Sequence, residues 1–149
     1  MEITYGLKNM MEESYKFNYD FDFASMNIDN VYFQIGHSLQ ANKEESEIIV
    51  NVMARLVYGG QHDVELAADN VRAIFYVSPY DEIVGETTDE GIQIKNNPLL
   101  IDTFINVSIG ALRGMFIKNL KGSPLEGKVL PLIPMDVIRE NATKKKKRS

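Results

Sequence analysis

Hydrophobic and polar residues alternate through the first half of the chain in a way that predicts β-strands. In residues 17–23, FNYDFDF, an aromatic residue stands at every second position, with Asn18, Asp20 and Asp22 between them. Such alternation places the two residue types on opposite faces of a half-buried strand. Four strands are predicted in this way, at residues 17–23, 31–40, 46–58 and 64–79. Because the turns between them, such as ANKEES and GGQHD, are short, an antiparallel meander is expected.

A long helix is predicted over residues 97–120, NPLLIDTFINVSIGALRGMFIKNL. Asn97 suits the N-cap, and Pro98 suits the first helical position. The acidic segment before it, residues 80–96, lacks a strong strand pattern and is interpreted as a connection. After the helix we expect a proline-rich crossover and a short C-terminal helix from Pro134. The predicted class is α+β, with a four-stranded antiparallel meander sheet followed by these elements.

The long helix has more apolar surface than one core requires. On a helical wheel its apolar residues span roughly 200°, about twice the stripe that a helix facing one core carries. Asp102, Asn106 and Arg113 occupy the remaining strip, beside Gly110 and Gly114. Soluble monomers rarely leave a large apolar patch in water. We therefore expect a second partner on this helix: another subunit, a client, or the second helix of the same chain.

Composition indicates one soluble domain in the cytoplasm. The chain has 149 residues, of which 44% are hydrophobic and 25% charged, and no cysteine, which excludes disulfides and thiolate chemistry. The N-terminal residues do not resemble a signal peptide. The most apolar run, residues 98–117, is interrupted by Asp102 and Arg113, which disfavours a membrane span. One domain is predicted over residues 1–141, followed by a basic disordered tail at 142–149.

The charge is unevenly distributed. The net charge is −5, and the five positive charges of residues 144–148, KKKKR, leave −10 for the rest of the chain. An acidic body repels phosphate groups, so neither nucleic acid nor a membrane surface is the expected partner.

Candidate catalytic and metal-binding residues are few. His37 falls in the second predicted strand and His62 in a hairpin turn, without the spacing of a zinc site. Asp20 and Asp22 share a strand face, where a solubilising role is the simpler interpretation. The acidic residues of segment 80–96 lack the ligand order of a calcium loop. We therefore expect no enzyme, no metal and no cofactor.

The order of elements resembles that of the SecB export chaperone family, over residues 3–140. FQIGHSLQANKEESEIIVNVMARLVYGG is similar to the second and third strands of the family, and AADNVRAIFYVSPYDE to the fourth. NPLLIDTFINVSIGALRG is similar to its long helix, with Arg113 and Gly114 at the matching end. VLPLIPMDVI is similar to the crossover into the last helix.

The resemblance implies a homotetramer, a dimer of dimers, that binds unfolded preproteins or other non-native polypeptides in apolar grooves without a cofactor. The surplus apolar arc would then be the oligomer interface, at Leu100, Phe104, Val107, Ala111 and Met115. Candidates for the client-binding groove surround the helix end and the crossover: Phe116, Ile117, Leu130, Leu132, Ile133, Met135 and Val137.

Two features depart from the family pattern. The acidic residue through which family members contact the SecA motor falls near Ala68, with Glu65 and Asp69 as the nearest acids, and the KKKKR ending replaces an acidic tail. A SecB-like chaperone dedicated to an antitoxin or another single client therefore stays open. So do an interaction protein that has lost client binding and a hot-dog-like small-ligand enzyme. In that enzyme Asp102 or Asn106 would be the catalytic candidate, although the helix there precedes most strands.

Overall fold

Four long antiparallel strands form one sheet in the order β1-β4-β3-β2. The computed structural model describes residues 2–60, 62–88, 91–95 and 98–134. The elements in chain order are β1 (Thr4–Phe17), β2 (Val31–Asn42), β3 (Glu47–Tyr58), β4 (Val64–Ser78), α1 (Tyr80–Ile83), β5 (Val84–Thr88), β6 (Gly91–Ile94) and α2 (Pro98–Leu120). The predicted α+β class is confirmed. Met135 and Val137, the short helix expected from Pro134 and the basic tail lie largely or wholly beyond residue 134, outside the described residues.

The strand order refines the expected meander. Strands β2, β3 and β4 pair consecutively, but β1 joins the sheet on the far side of β4. Residues 18–30 therefore cross the sheet end from one edge to the other. The Asn18 N–H donates to the Leu66 carbonyl on β4, and the Gly59 N–H beyond β3 donates to the Asn30 carbonyl. These two bonds fix the crossing segment to the strand ends.

The strand predicted at residues 17–23 is wrong. Strand β1 ends at Phe17, and two short 3₁₀ turns follow, at Phe23–Ser25 and Ile28–Asn30. Asn and Asp side chains compete for the backbone here: Asp22 accepts from the Ala24 N–H at 3.2 Å, and Asn27 from the Asp29 N–H at 3.1 Å. Such local bonds favour turns over a strand ladder.

The sequence signal of β1 itself is weak because the strand is irregular. Its pairing with β4 shifts register between Leu7 and Asn9 and again between Glu12 and Ser14. Each extra residue reverses the alternation of inward and outward side chains. A period-two search along the sequence therefore misses it.

Helix α2 packs on one face of the sheet and forms the core with it. Phe104 stacks on Phe75 of β4, with ring centroids 4.0 Å apart. One end of the helix is held by Phe116, whose ring meets those of Phe33 and Tyr15 edge-on. Burial of a large aromatic side chain contributes about 3 kcal/mol. The predicted helix is thus confirmed over Pro98–Leu120.

The segment predicted as a connection, residues 80–96, contains a short helix and a hairpin. Strands β5 and β6 pair with each other, and the Lys95 N–H donates to the Ile83 carbonyl at 2.7 Å. Ile83 and Val84 are buried in the core. The elements were missed because a strand of four or five residues is too short to show a period.

The apolar arc of α2 is covered more completely than expected. Ile83 from the hairpin region and Leu125 and Leu130 from the crossover belong to the same core cluster as the helix. The hairpin region and the crossover therefore cover part of the apolar arc that the sheet leaves open. Residues Leu99–Leu120 are long and apolar enough to cross a membrane, a test that the core helix of a soluble protein also passes.

Candidate functional site

Five aromatic rings form a continuous cluster where the crossing segment leaves β1. Phe17 packs against Tyr19 and Phe23, with ring centroids 5.0 and 5.5 Å apart. Phe21 bridges Phe23 and Tyr58 at 5.1 and 5.3 Å. We call Phe17, Tyr19, Phe21, Phe23 and Tyr58 the aromatic cluster. Rings at these separations attract one another beyond simple burial, so the cluster is a defined surface feature.

The aromatic cluster is only partly covered by the chain. Tyr19 is 84% exposed, whereas the other four rings are half-buried. The four half-buried rings pack against the hydrophobic core. The side-chain amide of Asn18 donates to the Glu65 carbonyl at 3.1 Å, which anchors the segment. Asp20 and Asp22 are exposed at its edge. The result is an aromatic surface with an acidic border.

A second uncovered surface follows the outer side of α2. Leu99, Val107 and Ile117 are exposed there, together with Gly110 and Gly114. We call these five residues the helix strip. It carries no charge, and the two glycines leave the backbone bare where an outward side chain would stand. A flat uncharged strip of this kind suits close approach of another polypeptide.

The crossover adds apolar side chains beside this strip. The Arg113 guanidinium donates to two successive carbonyls, to Leu130 at 2.7 Å and to Pro131 at 2.8 Å. These two hydrogen bonds hold the crossover alongside α2. Leu132 is left 86% exposed, and Val129 is also exposed.

Comparison with solved structures shows which known fold this architecture resembles. It matches Rv1957 of Mycobacterium tuberculosis, a SecB-like chaperone solved in complex with a ChAD peptide from the HigA1 antitoxin. The TM-score is 0.59 at 12% identity, covering 87% of this chain and 91% of the other. The chain has a SecB-like fold.

The other comparisons add no argument. A protein of unknown function from Streptococcus agalactiae aligns over 89% of this chain and 100% of its own, at 8% identity and a TM-score of only 0.35. No family model matches the sequence, and neither does any curated protein. At 12% identity the similarity establishes the fold alone.

Within the SecB-like fold, the predicted groove residues divide into two groups. Phe116 and Leu130 are buried in the core of the chain itself and have little surface to offer a client. Ile117 and Leu132 are exposed, and Ile133 is half-buried against the core. Ile117 belongs to the helix strip and Leu132 to the crossover, so this part of the predicted groove is accessible.

The predicted interface residues divide in the same way. Leu100 and Phe104 are only 3% and 1% exposed, because they face the sheet. Ala111 and Met115 are half-buried, and Val107 is exposed. The uncovered side of α2 is thus centred on the glycines, which the wheel had placed in its polar strip.

The two acids nearest the expected motor contact differ in accessibility. Glu65 lies at the surface, where a carboxylate oxygen is 3.7 Å from the Arg55 guanidinium. Asp69 is only 1% exposed, on the sheet face beneath α2. It accepts hydrogen bonds from the Asn70 N–H at 2.9 Å and the Asn119 amide at 3.1 Å. Burial and the neighbouring Glu12 carboxyl raise the pKa of Asp69 to about 7.

No catalytic or metal arrangement is found among the described residues. They contain no group of three histidines, cysteines or acidic residues able to hold a metal ion. Asn106, a candidate of the hot-dog alternative, is exposed on the outside of α2, and Asp102 is half-buried. Sequence reasoning missed the aromatic cluster as a surface, although its residues were the ones that suggested a strand.

Proposed function

We propose that this protein is an ATP-independent holdase that binds non-native polypeptide segments at the aromatic cluster and the neighbouring exposed apolar residues. The observation that carries the proposal is the five-ring cluster on a SecB-like fold, in which Tyr19 is 84% exposed and the other four rings are half-buried. Folded proteins bury their aromatic side chains, so an aromatic surface of this kind finds matching groups chiefly on unfolded chains. Selectivity is then for the non-native state rather than for a sequence.

The energy available fits reversible binding. Burying one apolar side chain of a client contributes about 1.5–3 kcal/mol. One such contact gives less than the roughly 4 kcal/mol that corresponds to millimolar affinity, whereas about 8 kcal/mol corresponds to micromolar affinity. A client must therefore engage several surfaces at once, which favours a multivalent assembly. We propose a homotetramer in which the helix strip contacts a second copy.

The charge at the cluster narrows the client class. Asp20 and Asp22 border the rings, and the chain outside residues 144–148 carries a net charge of −10. Segments that combine aromatic with basic residues should associate faster and more tightly than acidic segments. We place this activity in the cytoplasm. In the broader form of the proposal, the protein binds many exported preproteins and delivers them to the SecA motor.

A narrower form is dedication to one client. The structural neighbour is a SecB-like chaperone in complex with an antitoxin peptide. In this form, a single client would present one apolar segment to the cluster. Competition distinguishes the two forms: a general holdase loses a labelled segment to many unfolded proteins at similar concentrations, and a dedicated one does not.

The proposal is tested by suppression of the aggregation of a chemically unfolded protein, followed by light scattering with and without ATP. Wild type should suppress aggregation equally in both conditions. Tyr19→Ser should lose most of the effect with little change in stability, because the side chain is largely exposed. Tyr76→Ser is the matched control, since Tyr76 is an exposed tyrosine on β4, away from the cluster. Equal loss in both variants, or no suppression by wild type, would refute the proposal.

A further inference from the structure

Two carboxyl groups meet beneath the C-terminal turn of α2. The side-chain amide of Asn119 donates to Glu12 of β1 at 2.7 Å and to Asp69 of β4 at 3.1 Å. Asn119 thus brings the two carboxyls next to each other, and the proximity of Glu12, after burial, raises the pKa of Asp69. A hydrogen bond between two carboxyls needs a proton on one of them, because two carboxylates have no donor. The cluster thus connects an edge strand, a central strand and the helix end through one amide.

Strand irregularity creates this meeting. In the register of β1 with β4, Tyr15 stands opposite Asp69 and Glu12 opposite Val71. The extra residue between Glu12 and Ser14 keeps both Glu12 and Tyr15 on the helix side of the strand. Without the bulge, one of the two would face away from the helix.

Burial and most of the groups around Asp69 disfavour its ionised form. From β1 it is faced by the Glu12 carboxyl and by Tyr15, whose own pKa is raised by burial and by the nearby acids. From β3 it is faced by Ala54, which carries no charge. From α2 it is faced by Asn119, in the last turn, where the helix dipole is negative. The Asn70 N–H and the Asn119 amide partly offset these effects.

We propose that Glu12, Asn119 and Asp69 form a proton-dependent latch that holds β1 against the end of α2. With the shared proton present, each carboxyl is bonded to the other and to the amide. When the proton leaves, two negative charges stand side by side, with the Asn119 amide as the donor that bridges them. Repulsion then pushes β1 from the helix end.

The latch is placed to affect the aromatic cluster. Strand β1 is an edge strand, paired with β4 on one side. Its last residue, Phe17, is five positions beyond Glu12 and contacts Tyr19 and Phe23 of the cluster. Tyr15, between them, packs its ring on Phe116 of α2. Opening the latch would loosen the end of β1 and uncover these rings. This consequence for binding rests on the proposed function, whereas the latch itself does not.

Hydrogen exchange tests the latch without a client. Amide protection is measured at about pH 6 and about pH 8, on either side of the midpoint, and corrected for the intrinsic pH dependence of exchange. In wild type, protection of residues 12–17 and of the last turn of α2 should fall about tenfold or more between the two, since each unit of pKa shift corresponds to a factor of ten. Protection of β3 should not change once it is corrected for the change in global stability, measured by urea unfolding at the same two pH values.

Three variants decide the outcome. Asp69→Asn, which keeps a donor for Glu12, should abolish the fall in protection, and Glu12→Gln should reduce it. Glu13→Gln is the matched control, because Glu13 is the adjacent residue but reaches Arg72 instead, at 3.6 Å. It should behave as wild type. Circular dichroism checks folding, and should Asp69→Asn not fold, Glu12→Gln carries the test. Unchanged protection in wild type, or the same fall in the two neutralised variants, would overturn the latch.

Discussion

The glycines of the helix strip allow a test in which stability and assembly change in opposite directions. We consider the double change Gly110→Ala and Gly114→Ala. Among the described residues, a Cβ added at either position meets no atom within 4 Å apart from the adjoining backbone of the helix itself. Replacing glycine by alanine inside an exposed helix stabilises by about 1 kcal/mol per site. The two sites share no partner within the chain, so a gain of about 2 kcal/mol is expected for the protomer.

Association should respond in the opposite way. If a second copy packs on the strip, each new methyl group enters a closely packed contact, and overpacking costs about 1–3 kcal/mol. In a two-fold contact the same surface is used on both copies, so each substitution is felt twice. The loss amounts to at least about 4 kcal/mol for the double variant, enough to raise the dissociation constant about a thousandfold.

The assay combines urea unfolding at low concentration with sedimentation equilibrium. With an m-value of about 1–3 kcal/mol per molar urea, the stabilised protomer should unfold about 1 M later than wild type. Gly122→Ala is the control, since Gly122 has a φ of +82° that L-residues rarely adopt. It should lower stability by about 1 kcal/mol and leave association unchanged. A double variant that is more stable yet associates like wild type would show that the strip is not an interface.

Three further predictions concern the core, the crossover and the buried acid. Phe104→Ala removes the ring stacked on Phe75 and should cost about 3–5 kcal/mol in urea unfolding, because both rings are buried. Arg113→Met removes two hydrogen bonds to backbone carbonyls and should speed proteolysis within residues 124–134 by at least about tenfold, since each charged hydrogen bond contributes about 1.5–3 kcal/mol. The pKa of Asp69 is raised from 3.8 to about 7, so the native state keeps a proton that the unfolded chain loses, and the stability from this group should fall as pH rises from about 4 to about 7. The fall should amount to about 2–4 kcal/mol and vanish in Asp69→Asn, as measured by urea unfolding against pH.

The elements with an uninterrupted pattern could be predicted from the sequence. Helix α2 was placed over its observed span because its apolar period runs without a break from Pro98 to Leu120. Strands β3 and β4 were placed for the same reason, since each has a long row of buried residues at every second position. Such patterns hold because the same side chains that define them build the core.

The first strand and the aromatic segment could not be assigned from pattern alone. Two bulges hide the alternation of β1, whereas residues 17–23 alternate strictly and still form turns. Asn and Asp side chains bonded to nearby backbone N–H groups prevail there over the hydrophobic period. What looked like the inner face of a strand is therefore a cluster at the margin of the core, with Tyr19 exposed.

The sites were harder to predict because they depend on which way each side chain faces. The wheel identified a wide apolar arc on α2, but it could not say which part would face the sheet, and Leu100 and Phe104 proved to be core. Asp69 reads as a surface acid in the sequence, yet its register opposite Ala54 and Tyr15 turns it beneath the helix. The spacing of residues within a single helix or strand does not specify which way these side chains face.

Direct binding of an unfolded polypeptide tests the central claim most simply. A fluorescently labelled, permanently unfolded protein is titrated with this protein, and anisotropy is followed beside the same label on the natively folded form. The account predicts saturable binding of the unfolded form, weakened by Tyr19→Ser and unaffected by Tyr76→Ser, and no binding of the folded form. It is contradicted if the unfolded form does not bind, or if both forms bind equally well.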